Sequence, residues 1–262
     1  MNKLHTFAIC AYKESPYLEK CIESLLNQNV KSQVILCTST PNKYIKDIVN
    51  KHNIPYYINN KQLGIGGDWN FAYSKATTQL VTIAHQDDIY FPKYAELIIE
   101  EAKKSKRPII LYTAYKELRN EQMVKNNRLL IIKNILNSPL KFKILQSKKY
   151  VRKFILAFGN SICCPAVTLN KMIIGKNPFD IKLKNSLDWE AWLRFAKHKG
   201  EYIYINEHLM AHRISEISET TNTIASGVRA KEDYEIFRKI WPAFIAKIIM
   251  KFYSRSMDSN KI

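Results

Sequence analysis

Short apolar runs alternate with amphipathic helical patterns through the first 113 residues, and this alternation limits the possible folds more than any other feature of the chain. Thr6–Cys10, Val34–Cys37, Tyr56–Ile58, Leu80–Ala84 and Ile109–Thr113 read as buried strands. A helix starts at Ser15-Pro16, where the serine can cap and proline suits the first turn, and Leu18, Ile22 and Leu25 give it one apolar face. Further helices are predicted over about Lys43–His52, near Asp68–Ala76 after a glycine-rich turn, and over about Tyr94–Lys104. Strand–helix alternation predicts an α/β fold with a mostly parallel central sheet flanked by helices. Beyond residue 116 the pattern loosens. Residues 129–157 are apolar and basic with a break at Pro139. Strand-like pieces return at Ala166–Leu169 and Tyr202–Ile205, around a strong helix from about Ser186 to His198. The division expected is a domain over 1–228 and a basic helical extension over 229–262, broken near Pro242.

Ligands of such sheets bind beyond the carboxyl ends of the strands. Three polar clusters follow strand ends here: Tyr12-Lys13-Glu14, Thr38-Ser39-Thr40 and Gln86-Asp87-Asp88. Their convergence on one sheet edge is the first sign of a binding site.

Composition narrows the class. With 46% apolar residues, 262 positions can bury a substantial core, which excludes a disordered chain. The net charge is +18, and Lys103–Lys153 holds 15 Lys and Arg against only Glu117 and Glu121. So concentrated a field favours an anionic partner: a nucleic acid, a membrane surface or a phosphate-bearing substrate. The five cysteines form no C-x-x-C pair and suggest no zinc site or disulfide frame, so a reducing cytoplasm is expected. The N-terminus is too polar for a signal peptide, and no run approaches the ~18 apolar residues of a spanning helix.

Individual segments carry chemistry. Adjacent carboxylates at Asp87-Asp88 repel each other, and a divalent cation such as Mg²⁺ or Mn²⁺ relieves that repulsion. The turn Gly64-Ile65-Gly66-Gly67-Asp68-Trp69-Asn70 holds three of the seven glycines, allowing close backbone approach to a ligand, although it is neither a dinucleotide fingerprint nor a P-loop. Asp188, in Ser186-Leu187-Asp188-Trp189-Glu190, falls in a helix's first turn, where the dipole favours an ionised carboxylate able to act as a general base. His212-Arg213 follows the last strand-like run.

These segments stand in a familiar order: AICAYKESPYLEKCIESLLNQ from Ala8, GIGGDWNFAYSKA from Gly64, AHQDDIYFP from Ala84, FGNSICCPAVTLNK from Phe158, SLDWEAWLRFAK from Ser186 and AHRISEISET from Ala211. Over roughly residues 4–222 the sequence resembles the inverting family 2 glycosyltransferases with the GT-A nucleotide-sugar fold, and among them the bacterial enzymes of capsule and O-antigen synthesis. The resemblance implies that Ala11, Tyr12 and Glu14 hold the nucleotide, with Thr38, Asp68, Asn70, Gln86 and Asp87 also facing the nucleotide sugar. It implies that Asp88 binds Mn²⁺ or Mg²⁺, with His212 as a substitute metal ligand, and that Asp188 is the catalytic base. Two departures stand out. Cys37-Thr38-Ser39-Thr40 replaces a common Asp-Asp-Gly-Ser, and Arg213-Ile214-Ser215 replaces the Arg-x-His tail.

The implied reaction moves a sugar from a nucleotide-diphosphate donor, UDP-linked by family frequency, to a hydroxyl of a glycan or a polyprenyl-diphosphate-linked glycan. The lysine-rich stretch and Arg238–Arg255, with five basic residues and no acid, point to a peripheral enzyme on the cytoplasmic face of the cell membrane. Two rivals are weaker. A nucleic-acid-binding protein would carry an RRM, KH or helix-turn-helix signature. A sugar-nucleotide nucleotidyltransferase would carry a glycine-rich basic loop where Ala11-Tyr12-Lys13-Glu14 stands.

Overall fold

The computed structural model describes residues 4–214 and 227–257. Nine strands form one sheet: β1 His5–Ala11, β2 Gln33–Thr38, β3 Tyr56–Ile58, β4 Leu80–His85, β5 Ile89–Tyr90, β6 Pro108–Arg119, β7 Gln122–Val124, β8 Val167–Asn170 and β9 Glu201–Ile214. Their order is β3-β2-β1-β4-β8-β6-β9-β5, with β7 against β6. The long ladders β1–β2, β1–β4 and β6–β9 are parallel, so the sheet is mostly parallel. β8 runs antiparallel to both neighbours and joins the two halves.

Two helical layers cover the sheet. On one side, α1 (Leu18–Leu26), α2 (Lys43–Lys51) and α4 (Tyr94–Lys104) bury Leu18, Ile22, Ile45 and Ile98. On the other, α3 (Gly64–Lys75) and α9 (Leu187–Phe195) bury Trp69, Tyr73, Trp189 and Trp192. Between β7 and β8 lie α5 (Arg128–Asn137) and the short helices α6 (Lys143–Gln146) and α7 (Lys149–Phe154); α8 (Lys171–Ile174) follows β8. Pro139 breaks the helical run as anticipated, within a 3₁₀ turn over Ser138–Lys141.

Two expectations change. The glycine-rich turn is helix: α3 starts at Gly64, and Gly66 and Gly67 lie inside it. A Cβ on Gly66 would press on the Asp180 carbonyl and the Ile181 backbone, so glycine serves close packing there. Second, β6 and β9 extend far past Ile109–Thr113 and Tyr202–Ile205. Their ladder shifts register three times, two of them between Thr113 and Tyr115, which lets polar residues sit within long strands. The helices Val228–Ile240 and Ala243–Met257 stand in the stretch expected as a basic extension, and their Ile236, Phe237 and Ala246 are fully buried in the main core. The Phe237 ring meets Trp189 edge-on at 4.9 Å. The tail segment over 215–226, including Ser215, lies outside the described residues.

Candidate active site

A cavity of about 950 Å³ opens beyond the carboxyl ends of β1 and β4. The parallel ladders bring Ala11 beside Thr38 and Cys10 beside His85, so the loops after β1, β2 and β4 meet at one edge. Gln86 holds two of them together. Its amide accepts from the Tyr12 N–H at 3.1 Å and donates to the Tyr12 carbonyl at 3.0 Å. Lys13, at φ +55°, donates its N–H to Thr40 Oγ1 at 2.6 Å. Asp68 ties α3 to the same edge, accepting from Ser39 Oγ at 2.7 Å and Asn59 Nδ2 at 2.8 Å.

Most predicted site residues reach this cavity: Ala11, Tyr12, Glu14, Asp68, Gln86, Asp87, Asp188 and His212 all line it. Thr38, Asn70 and Asp88 do not. Thr38 is buried and accepts the Thr40 N–H at 3.1 Å, shaping the loop from beneath. Asn70 is also buried, and it spends its amide on the Phe179 backbone, donating at 2.8 Å and accepting at 3.0 Å.

Asp88 lies behind the cavity wall, wholly buried. The β5–β9 pairing sets Ile89 opposite Ala211 and so brings Asp88 to His212. Asp88 Oδ1 accepts from His212 Nδ1 at 2.9 Å and from the Arg213 N–H at 2.8 Å. Arg213 also donates to the Asp87 carbonyl at 3.0 Å and stacks 3.8 Å above the Tyr17 ring. Burial opposes a charge on His212, but the carboxylates of Asp88 and Asp87 outweigh it and raise its pKa. Burial, reinforced by the Asp88 charge, pushes Asp87 up to about 7.

The residues fit a divalent cation. One ligating atom each from His85, Asp88 and His212 lies within 4.8 Å of the others. Asp88 Oδ2 and His85 Nε2 are buried with no hydrogen-bond partner, a costly state that a cation would relieve. A mixed carboxylate–imidazole set suits Mn²⁺ better than Mg²⁺, which prefers oxygen ligands. With Nδ1 engaged by Asp88, the Nε2 of His212 is the nitrogen open to a metal, the arrangement of a carboxylate-oriented histidine ligand. His85 was not anticipated; its only sequence signal is its place three residues before Asp88.

Asp188 stands in the first turn of α9. Burial raises its pKa, and hydrogen bonds to the ionised form partly offset this. Those bonds come from the Trp189 N–H at 2.8 Å and Asn160 Nδ2 at 2.6 Å. Asn160 belongs to the FGNS segment noted above but carried no role in the sequence reading. The segment that leads into Asp188 is held from outside by the helix Val228–Ile240. Glu232 accepts the N–H groups of Lys184, Asn185 and Ser186 at 2.8, 2.9 and 3.0 Å, and Asp233 accepts Ser186 Oγ at 2.6 Å. Tyr253 lies over Gly159 so closely that a Cβ there would overlap its ring.

Polar loops at strand ends, a partly buried acidic–imidazole cluster and a hydrogen-bonded carboxylate thus meet around one cavity at the carboxyl edge of an α/β sheet. The family model for glycosyl transferase family 2 matches residues 6–168, and the chain belongs to that family. It is 26% identical over 220 residues to "Uncharacterized glycosyltransferase MJ1057" of Methanocaldococcus jannaschii, covering 80% of this chain and 71% of that protein. It is 22% identical over 204 residues to the Escherichia coli chondroitin synthase, covering 76% of this chain but 27% of that one. Among solved structures, the mannosyltransferase PcManGT from Pyrobaculum calidifontis, in complex with GDP-Man and Mn²⁺, superposes with a TM-score of 0.66 at 13% identity, covering 99% of this chain and 71% of that one. S. aureus TarS 1–349 in complex with UDP-GlcNAc gives 0.59 at 15%, covering 97% and 72%. The fold is the GT-A fold.

Proposed function

We propose that this protein is a metal-dependent inverting glycosyltransferase that moves a sugar from a nucleotide-diphosphate sugar to an acceptor hydroxyl. The observation that carries the reading is one cavity lined both by Asp188, half-buried and hydrogen-bonded as a carboxylate, and by the His85–His212 edge of the cation cluster. Tyr12, Glu14 and the Ser39–Thr40 turn face the nucleotide. The complexes of the similar structures with UDP-GlcNAc and GDP-Man support a nucleotide-sugar donor. UDP is favoured on the resemblance to the wider family.

Asp188 takes the proton of the acceptor hydroxyl as its oxygen attacks the anomeric carbon. The bond to the donor's diphosphate breaks, its electron pair leaves with the diphosphate, and one displacement inverts the carbon. An α-linked donor gives a β-linked product. His85, Asp88 and His212 would hold the cation, whose charge offsets the charge gathering on the departing diphosphate. On this reading, residues 1–228 carry the donor site and the base, and 229–262 brace them. The acceptor is a glycan or lipid-linked glycan of bacterial surface polysaccharide, and the enzyme works at the inner face of the cell membrane.

The test is release of nucleotide diphosphate from a panel of UDP- and GDP-sugars with Mn²⁺, then with EDTA. Release from one donor, lost in EDTA and in Asp188→Asn, is expected. No donor binding in calorimetry with Mn²⁺ present would remove the reading.

A further inference from the structure

The cavity has a second wall unlike the first. Leu129, Ile132 and Leu136 of α5, Phe158, and Ile249 and Phe252 of the helix Ala243–Met257 line it with apolar groups. Phe158 packs on Phe154 at 5.6 Å and on Trp241 at 5.7 Å, and Trp241 Nε1 donates to the Ala157 carbonyl at 2.7 Å. Beyond this seam, Phe142, Ile144, Tyr150, Phe154, Phe244 and Ile248 are 51–74% exposed. Phe244, Ile248 and Phe252 fall four apart and form one uncovered stripe of their helix. Monomeric soluble proteins seldom leave so many large apolar side chains together in water.

The charge around this surface has one sign. Residues 128–158 hold eight Lys and Arg and no acid, and 238–255 hold five and no acid. Lys141, Lys143, Lys148, Lys149, Lys153, Lys247 and Lys251 are exposed, and none pairs with an acid among the described residues. Aromatic and aliphatic side chains among unpaired lysines suit the headgroup–acyl boundary of an anionic bilayer. No helix among the described residues is long and apolar enough to cross a membrane, so contact would be interfacial.

We infer that the face built from α5, residues 138–158 and the helix Ala243–Met257 docks on an anionic lipid surface, and that it sets the apolar lip of the cavity against the bilayer. This deepens the glycosyl-transfer reading and rests on it for one point only, the acceptor. A sugar acceptor carried on a membrane lipid would reach Asp188 along the apolar wall, while the donor enters from water over Tyr12 and Glu14.

The full chain is tested by flotation with phosphatidylglycerol-rich and with pure phosphatidylcholine vesicles, at low and high salt. Two variants accompany it: Phe142→Ser/Ile144→Ser/Phe244→Ser/Ile248→Ser, and Lys141→Gln/Lys143→Gln/Lys148→Gln/Lys149→Gln. These positions are exposed and lie outside the cavity, so both variants should melt like the parent and bind donor equally. The parent should bind the anionic vesicles at low salt and lose binding in high salt. Each variant should bind roughly tenfold or more weakly. No vesicle binding by the parent at low salt overturns the inference, as does undiminished binding by the apolar variant. A parent dimer that the apolar variant dissolves would assign the face to a second copy instead. Donor binding is measured separately, so failure on vesicles and failure of the transferase reading are told apart.

Discussion

The carboxylate of Asp88 grips His212 from behind the cavity wall, accepting its Nδ1–H at 2.9 Å across 124 residues of sequence. This bond fixes the ring plane and leaves Nε2 as the histidine's remaining ligand atom. The second carboxylate oxygen meets no hydrogen-bond donor. Asp88 is thus both a candidate ligand and the group that aims its neighbour.

Asp88→Asn should therefore weaken Mn²⁺ more than it weakens the fold. The asparagine Oδ1 can still accept the Arg213 N–H, but the anionic partner of His212 is gone. Mn²⁺ affinity should fall about 10–100-fold, the usual cost of losing an outer partner of a metal-bound histidine. Calorimetric titration of Mn²⁺ into parent and variant reads this directly. Equal affinities would exclude Asp88 from both roles.

Asp188→Asn should separate binding from turnover. The side chain keeps its size and place in the first turn of α9 but cannot take a proton. Loss of a general base costs about 10²–10⁴-fold in rate. Donor affinity should stay near that of the parent, since the nucleotide loops lie on other elements. Rapid-quench single turnovers beside equilibrium donor binding make the comparison. Weakened donor binding with normal turnover per bound donor would make Asp188 a binding residue.

The pH profile follows from the same carboxyl. Burial raises the Asp188 pKa above the ordinary carboxylate value of about 3.9, so the working, deprotonated form appears later as pH rises. Activity should climb with pH along an acid limb displaced upward. Asn160 favours the ionised form through its 2.6 Å hydrogen bond. In Asn160→Ala that support is lost, and the limb should move to still higher pH. Initial rates across the acid range at saturating Mn²⁺ test it; a limb that stays in place or moves down contradicts the assignment.

Much of this site was legible before any coordinates. The period of the apolar runs places β1, β2 and β4 and the polar clusters after them, because a parallel strand buried on both faces is a continuous apolar run. Asp188 was legible because a first-turn acid leaves a local signature. What escaped depends on long-range geometry. β9 reaches Ile214 only because its ladder with β6 absorbs Asn206 and Glu207 through register shifts, and a polar interruption looks like a strand's end. That ladder carries His212 to Asp88, so the inner position of Asp88 and the membership of His85 were invisible. Asn70 misled for the opposite reason: its segment marks the site, but its amide faces Phe179 across the core.

Asn70→Ala should accordingly act on stability and not on donor affinity. It strips partners from the buried N–H and C=O of Phe179. Each orphaned group costs about 1–3 kcal/mol. For a domain of this size, each kcal/mol lowers Tm by about 2–4 °C. Scanning calorimetry should show the drop, and donor Kd measured well below the new Tm should be unchanged. A donor Kd raised tenfold with Tm intact would restore Asn70 to the binding site.

Glu232 offers the most distant test of how Asp188 is held. It does not itself line the cavity, yet its carboxylate collects three backbone N–H groups from Lys184, Asn185 and Ser186, which do line it and which lead into Asp188. Charge-assisted bonds of this kind are about twice as strong as neutral ones. Glu232→Ala frees the three donors and lets the start of α9 drift. Displacements near 1 Å at a reacting group cost up to about 10²-fold. We expect kcat to fall at least roughly tenfold on that scale, while donor Kd and Mn²⁺ affinity stay put, because Tyr12 and Asp87 stand on the loops after β1 and β4 and His212 on β9, and Glu232 hydrogen-bonds to none of them. Glu232→Gln keeps the acceptor oxygen without the charge and should recover part of kcat. A Glu232→Ala enzyme with parental kcat and merely a lower Tm would show that this brace serves folding alone.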